Sequence, residues 1–454
     1  VSSEDPPEFP GDGPGGPDDP DDPPGSGASG DQPDPLAGLF GALGEMFGGG
    51  FPGTGGIPGL PGGFPGGQPF GGAAGGPDPA RQIAMAVASE GSSEPNVDPL
   101  VRIEYESLLR VAELQIADRT GLQVTHGGAL RLRPVTRTAW ASASVDAYRP
   151  YLARMAQMPG ATADGDPDPT NPGMDQGIGP SDPEEDPSTA WLSGLLAAMA
   201  PMMAGITTGT MVGRLALRSL GTYDLPIPRD GDELLVVVPN VEAFAADWSL
   251  PAADLRLWIC LHEVAHHAVL GVPHLRAALT DLLTRHAGAF RNDGSALQDQ
   301  LGDIDLTSGP EALARLQESL NPEMVLGAVR SPEQEALLPH LEALVAVVIG
   351  YVDHVMDDIG STLIGSYRQV TEAARRRRVG TGDADRFVER ILGLDLTVEQ
   401  VDRGSAFVAG VVDRSGSEGL GRLWATGRNL PTPSEVDAPG LWLARIDLPD
   451  QPQP

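Results

Sequence analysis

The chain has 454 residues, a formal net charge of −33 and a pI near 4.4. Such acidity argues against nucleic acid and anionic membrane as partners. One cysteine, Cys260, excludes an intramolecular disulfide framework and any cysteine-rich zinc site.

By length alone the chain could hold about two or three domains. Residues 1–77, however, are rich in Pro, Gly and acids, and no Lys or Arg occurs before Arg81. That composition cannot bury enough apolar surface to offset chain entropy, so it reads as a disordered acidic tail. Within it Leu36, Leu39, Phe40, Leu43, Met46 and Phe47 recur at helical spacing. This piece either docks, on a protein partner or on its own domain, or forms only a transient helix. No basic, then apolar, leader opens the sequence, so a cytoplasmic location is expected.

A mainly α domain with few short strands is expected over 78–448, with a short tail at 449–454. Residues 80–89 read as a helix, and Asp98-Pro99 opens a longer one that stops by Gly121. A short strand is expected at 130–133 and a further helix at 145–158. Residues 159–187 form a second acidic Pro/Gly loop; Pro169 stands where a calcium loop needs glycine, so its aspartates read as solvated. The uncharged run 191–212 reaches spanning length. Pro201, Gly205, Gly209 and its threonines favour a buried core helix, and no membrane span is expected. Residues 234–238 (LLVVV) are the best strand, and an edge strand there would suit the holding of a substrate backbone.

Next comes the run 257–271, holding His262-Glu263-Val264-Ala265-His266. Helical residues four apart share a face, so two imidazoles at this spacing can close on one Zn²⁺. Glu263 would then reach metal-activated water as general base. Ser249 and Pro251 suit the start of this helix, Gly271 its C-terminal cap, and Pro273 its end. The apolar surroundings imply burial, and buried histidines and a glutamate need partners. Core histidines bonded to backbone are the alternative to a metal site. Cys260 reads as core packing, and His267 as a support of the site or a core residue.

Helices follow at 273–290, at 310–320, and from the capping box Ser331-Pro-Glu-Gln334 through 341–359, with Pro339 as a kink and Gly360 as the stop. Four or five more complete the chain. Arg375 to Arg378 read as a solvated helix end. A third protein ligand is required, with one position left open. Asp353 and His354, at the end of the apolar run 344–352, are the best sources; Asp357, Glu342 and His274 follow. Asp353 bonded to a ligand histidine or to an arginine is the alternative.

Five segments carry a resemblance: HEVAHH at 262–267, GYVDHVMD at 350–357, LDLTVEQ at 394–400, LPTPSE at 430–435 and PGLWL at 439–443. From about residue 78 onward the chain resembles the zincin-like actinobacterial family of zinc-dependent metalloproteases, some members of which are called hydrolases or linked by name to deazaflavin-coenzyme biosynthesis. The resemblance implies a helical intracellular protein built around a zincin-type helix pair. Many relatives have Glu-Gly where this chain has Ile349-Gly350, and that glutamate is the natural third ligand. Asp353, one turn further on, takes the role here, with His354 as substitute. The function expected is a zinc-dependent metallopeptidase or amide hydrolase acting on a peptide or other amide; the alternative is a non-catalytic scaffold or interaction protein with a vestigial metal site.

Overall fold

The computed structural model describes residues 78–155, 204–290, 330–380 and 387–449. The expectations for 36–47, for the acidic loop at 159–187 and for a helix at 310–320 lie outside the described residues.

Helix α1 (Pro79–Ser89) starts where Asp78 accepts from the Ala80 N–H, and α2 (Pro99–Thr120) where Asp98 accepts from the Leu100 N–H. Both aspartates satisfy a helix N–H that has no intrahelical partner, and the following proline fits the first turn. Gly121, at φ 67°, closes α2 as the sequence predicts. Strand β1 (Arg131–Val135) then leads into α3 (Arg137–Met155) and a helix at 204–216, α4. The chain returns through β2 (Glu233–Val237), which pairs with β1 in parallel, Arg131 opposite Glu233 through Val135 opposite Val237. A parallel pair needs such a long crossover.

The part of the run 191–212 that is described is α4, with Thr208, Met211 and Val212 buried. Its glycines lie against α1: a Cβ on Gly209 would meet the Ala80 carbonyl at 2.5 Å, and one on Gly213 would meet Val87 at 2.6 Å. They permit two backbones to approach rather than interrupting a helix.

Then come α5 (Val238–Asp247), α6 (Ala252–Leu270), α7 (Pro273–Gly288) and α8 (Pro332–Leu363). After them stand α9 (Tyr367–Val379), α10 (Phe387–Leu392), α11 (Val398–Gly421), α12 (Pro433–Asp437) and α13 (Pro439–Asp447). The capping box of α8 forms as read from the sequence: Ser331 accepts from the Gln334 N–H and Gln334 from that of Ser331. The helix passes Gly360 and ends at Leu363; Gly360 lacks the Cβ that would strike the Tyr367 ring. Helix α8 is long and apolar enough to cross a membrane, yet 61% of its most apolar stretch is buried inside the protein. It crosses α11 at Gly350 and Gly404, where a Cβ on either would run into the other helix's backbone.

Helix α6 is the centre of the assembly, packed on α2, α8 and α9. Ser249 does not cap it. That residue sits at φ 51°, and the cap position is Pro251, which offers no side-chain hydrogen bond. Gly271 ends α6 in right-handed geometry, at φ −79°. Its lack of a side chain serves another purpose: a Cβ there would overlap the His126 ring.

Candidate metal centre

The four-residue spacing does on α6 what helical geometry requires. The His262 and His266 rings stand side by side with centroids 4.2 Å apart, and Trp258 stacks on His262 at 4.9 Å. The Nδ1 of His266 lies 3.0 Å from the His262 carbonyl oxygen, one turn back. If Nδ1 carries the proton, it donates to that carbonyl and leaves Nε2 as an acceptor. Burial pushes His262 down to about 4, with Arg378 acting in the same direction, and pushes His266 well below its ordinary value, with His262 adding to it. Both are neutral imidazoles near pH 7, the form that binds metals.

Glu263 points into the same cavity, whose volume is about 100 Å³. Its Oε2 accepts from the backbone N–H groups of Thr222 (2.7 Å) and Tyr223 (3.1 Å). A Cβ on Gly221 would collide with the carboxylate, so that glycine makes its seat. Burial pushes the carboxyl up to about 8, Asp224 adds to this, and the two N–H bonds pull it back. The segment is itself anchored to β2. Gly221 bridges Val236, the Val237 N–H donates to the Leu220 carbonyl, and the Leu235 N–H donates to the Thr222 hydroxyl.

The expected third ligands stand differently. Both oxygens of Asp353 accept from Arg378, at 2.9 and 3.1 Å, and Asp353 is outside the cavity lining. His354 is outside the cavity lining, and its buried Nε2 has no hydrogen-bond partner among the described residues. Asp357 is engaged by Tyr367 and Arg375. His274 lies against Gly427, away from the cavity. Ile349 does line the cavity beside His262 and His266, so the position that resemblance assigns to a glutamate faces the site with an apolar side chain.

The arginines at the end of α9 are not all solvated, as the sequence had suggested. Arg375 and Arg376 are exposed, but Arg377 and Arg378 turn inward and line the cavity with Arg218. Each cation meets an acid: Arg377 with Asp224 at 3.0 Å, Arg378 with Asp353, and Arg218 with Glu389 at 2.6 Å. A helical run of four arginines presents different faces, which a reading of charge alone does not resolve. Gly221, Asp224 and Tyr223 likewise gave no signal, since nothing local marks a loop residue that will meet a helix about 40 positions later.

Two neutral imidazoles and a buried carboxylate are a donor set that fits a divalent transition metal. The fit covers two ligand positions; among the described residues that line the cavity, the other two acids, Asp224 and Glu389, are paired with arginines.

A model of the zincin-like metallopeptidase family matches residues 77–443. The chain belongs to the zincin-like metallopeptidase family. Membership implies a metal-dependent hydrolase scaffold. The fold is shared with a crystal structure from Chloroflexus aurantiacus described as "a putative hydrolase with a novel fold", at 24% identity and a TM-score of 0.55, over 82% of this chain and 98% of that one. Among proteins of curated function none matches the sequence.

Proposed function

We propose that this chain is a zinc-dependent peptidase or amide hydrolase, with His262 and His266 as metal ligands and Glu263 as the general base. What carries this reading is the convergence of two uncharged imidazoles and one backbone-held carboxylate on a single buried cavity. A divalent ion bound there supplies Lewis acidity and an acidified water. Burial keeps Glu263 protonated near neutral pH unless a cation stands beside it; next to a bound ion the side chain, held by Thr222 and Tyr223, would ionise, take a proton from the attacking water and return it to the leaving amine. Trp258 fixes the His262 ring by stacking, and the His262 carbonyl orients His266. Asp353 holds Arg378 at the cavity wall, and it would be free to serve as a third ligand only on releasing that arginine.

Ile349 supports a second reading, a scaffold that binds metal weakly and turns over nothing, because it removes a carboxylate from the lining. Elemental analysis and hydrolysis of a mixed peptide library separate the two. The enzyme reading expects about one zinc lost on His266→Ala, and turnover abolished by Glu263→Gln with zinc kept. Zinc binding that His266→Ala leaves unchanged, or zinc-loaded protein that cleaves no amide, would sink it.

A further inference from the structure

On the other side of Tyr223 from Glu263 lies a second set of donors. We infer that His126, Asp232 and His267 form a separate Zn²⁺ site, tying the loop after α2 and the entry to β2 onto the C-terminal turn of α6. Among the described residues these three are a group whose ligand atoms all lie within 4.8 Å of one another. The His267 Nε2 is already 3.3 Å from the Asp232 Oδ1. Ligand atoms on one tetrahedral zinc, at bonds of 2.0–2.1 Å, stand about 3.3 Å apart. The two histidine rings are 4.8 Å apart, tilted by 47°. His126 is exposed while His267 is buried; the His126 Nε2, now 3.4 Å from the His267 carbonyl oxygen, would turn from that oxygen to the ion to close the set, with water as the fourth ligand.

Each donor is built into place. Asp232 accepts backbone N–H bonds from His126 (2.8 Å), Gly127 (3.0 Å) and Gly128 (2.8 Å). Burial opposes its charge, but those N–H groups and His267 keep the carboxyl below its ordinary range. Among the described residues its ion-pair partner is His267 and no arginine or lysine. His126 rests over Gly271, the one place where α6 and α7 join without a side chain to exclude it. His267 has its other nitrogen, Nδ1, 2.9 Å from the Tyr223 hydroxyl. A metal on Nε2 puts the ring proton on Nδ1, and Tyr223 then accepts it, the outer-shell bond that ligating histidines ordinarily make. Because the backbone N–H of Tyr223 also holds Glu263, occupancy of this site bears directly on the loop that seats the proposed base.

The test is Zn²⁺ titration of chelator-stripped full-length protein by calorimetry, with zinc counted after gel filtration. The unmodified chain is expected to take up two ions. His126→Ala removes an exposed ring, leaves the fold intact by circular dichroism, and is expected to take up one. His266→Ala is expected to keep the ion that His126→Ala loses, and the double variant to bind at least about 100-fold more weakly than either. A His126→Ala chain that binds as many ions as the unmodified one, with the same affinity, overturns the inference. Uptake lost on His266→Ala but untouched by His126→Ala removes this site and leaves the proposed catalytic centre standing; the reverse pattern keeps this site and removes that centre.

Discussion

Arg378 grips Asp353 through two hydrogen bonds, 2.9 and 3.1 Å long, and both side chains are largely buried, with exposures of 15% and 10%. Breaking a buried ion pair from one side costs about 3–5 kcal/mol. Asp353→Ala should therefore lower stability by that order in urea denaturation of chelator-treated protein. Asp353→Leu combined with Arg378→Leu should recover most of it. A loss under about 1 kcal/mol for Asp353→Ala would show that the carboxylate is spare for another partner, a metal included.

Glu263 and Gly221 make a paired prediction about the site. Glu263→Gln keeps the shape and the Thr222 and Tyr223 contacts, so zinc should stay while turnover falls about 10²–10⁴-fold. Gly221→Ala puts a methyl group into the carboxylate's seat and should also cut turnover with zinc retained, although it changes no chemical group. Full activity in Gly221→Ala would mean that the observed seat of Glu263 is not its working position.

His286 offers a pH test remote from the metal. It is 1% exposed, neither ring nitrogen has a hydrogen-bond partner among the described residues, and burial pushes it down to about 4, with Arg330 acting in the same direction. In the unfolded chain it binds a proton near pH 6.5. Between those values only the unfolded state is protonated, so stability drains away as the pH falls from about 6.5 to 4 and is unaffected above. His286→Leu should remove that slope. Relative to the unmodified chain, its unfolding free energy should gain up to roughly 3 kcal/mol between pH 7 and 4. Parallel curves for the two proteins would contradict this.

Gly404 meets α8 backbone to backbone, against the Ala346 carbonyl. Neither partner is the end of a flexible side chain, so Gly404→Ala must push the helices apart. A loss of about 1–3 kcal/mol or more is expected, seen as a lower denaturation midpoint with an unchanged m-value. Gly440→Ala, whose nearest neighbour is the Arg414 side chain at 3.6 Å, should do little.

Much of the frame was legible because its signals are local. Asp98 and Gly121 bracket α2, Ser331 and Gln334 start α8, and four-residue spacing puts His262 and His266 on one face. The remainder depends on long-range approach. Gly271 reads as a cap yet makes room for His126, a residue 145 positions earlier by number. Asp353 reads as a ligand because a charge ending an apolar helix needs a partner; that partner proved to be Arg378, on a helix that reads as solvated. The donors His126 and Asp232 are polar residues in turns, and in sequence nothing separates them from ordinary surface.

Strand β2 has one last implication. Its two sides are both taken, one by β1 and the other by the stretch 220–222. An extended polypeptide therefore finds no vacant ladder there on which to lie down beside the cavity, contrary to the expectation of an edge strand. A long chain bound as an added strand draws its affinity from main-chain hydrogen bonds to such an edge, and a single terminal residue or a compact amide has no need of them. The first molecules worth offering this protein are short ones.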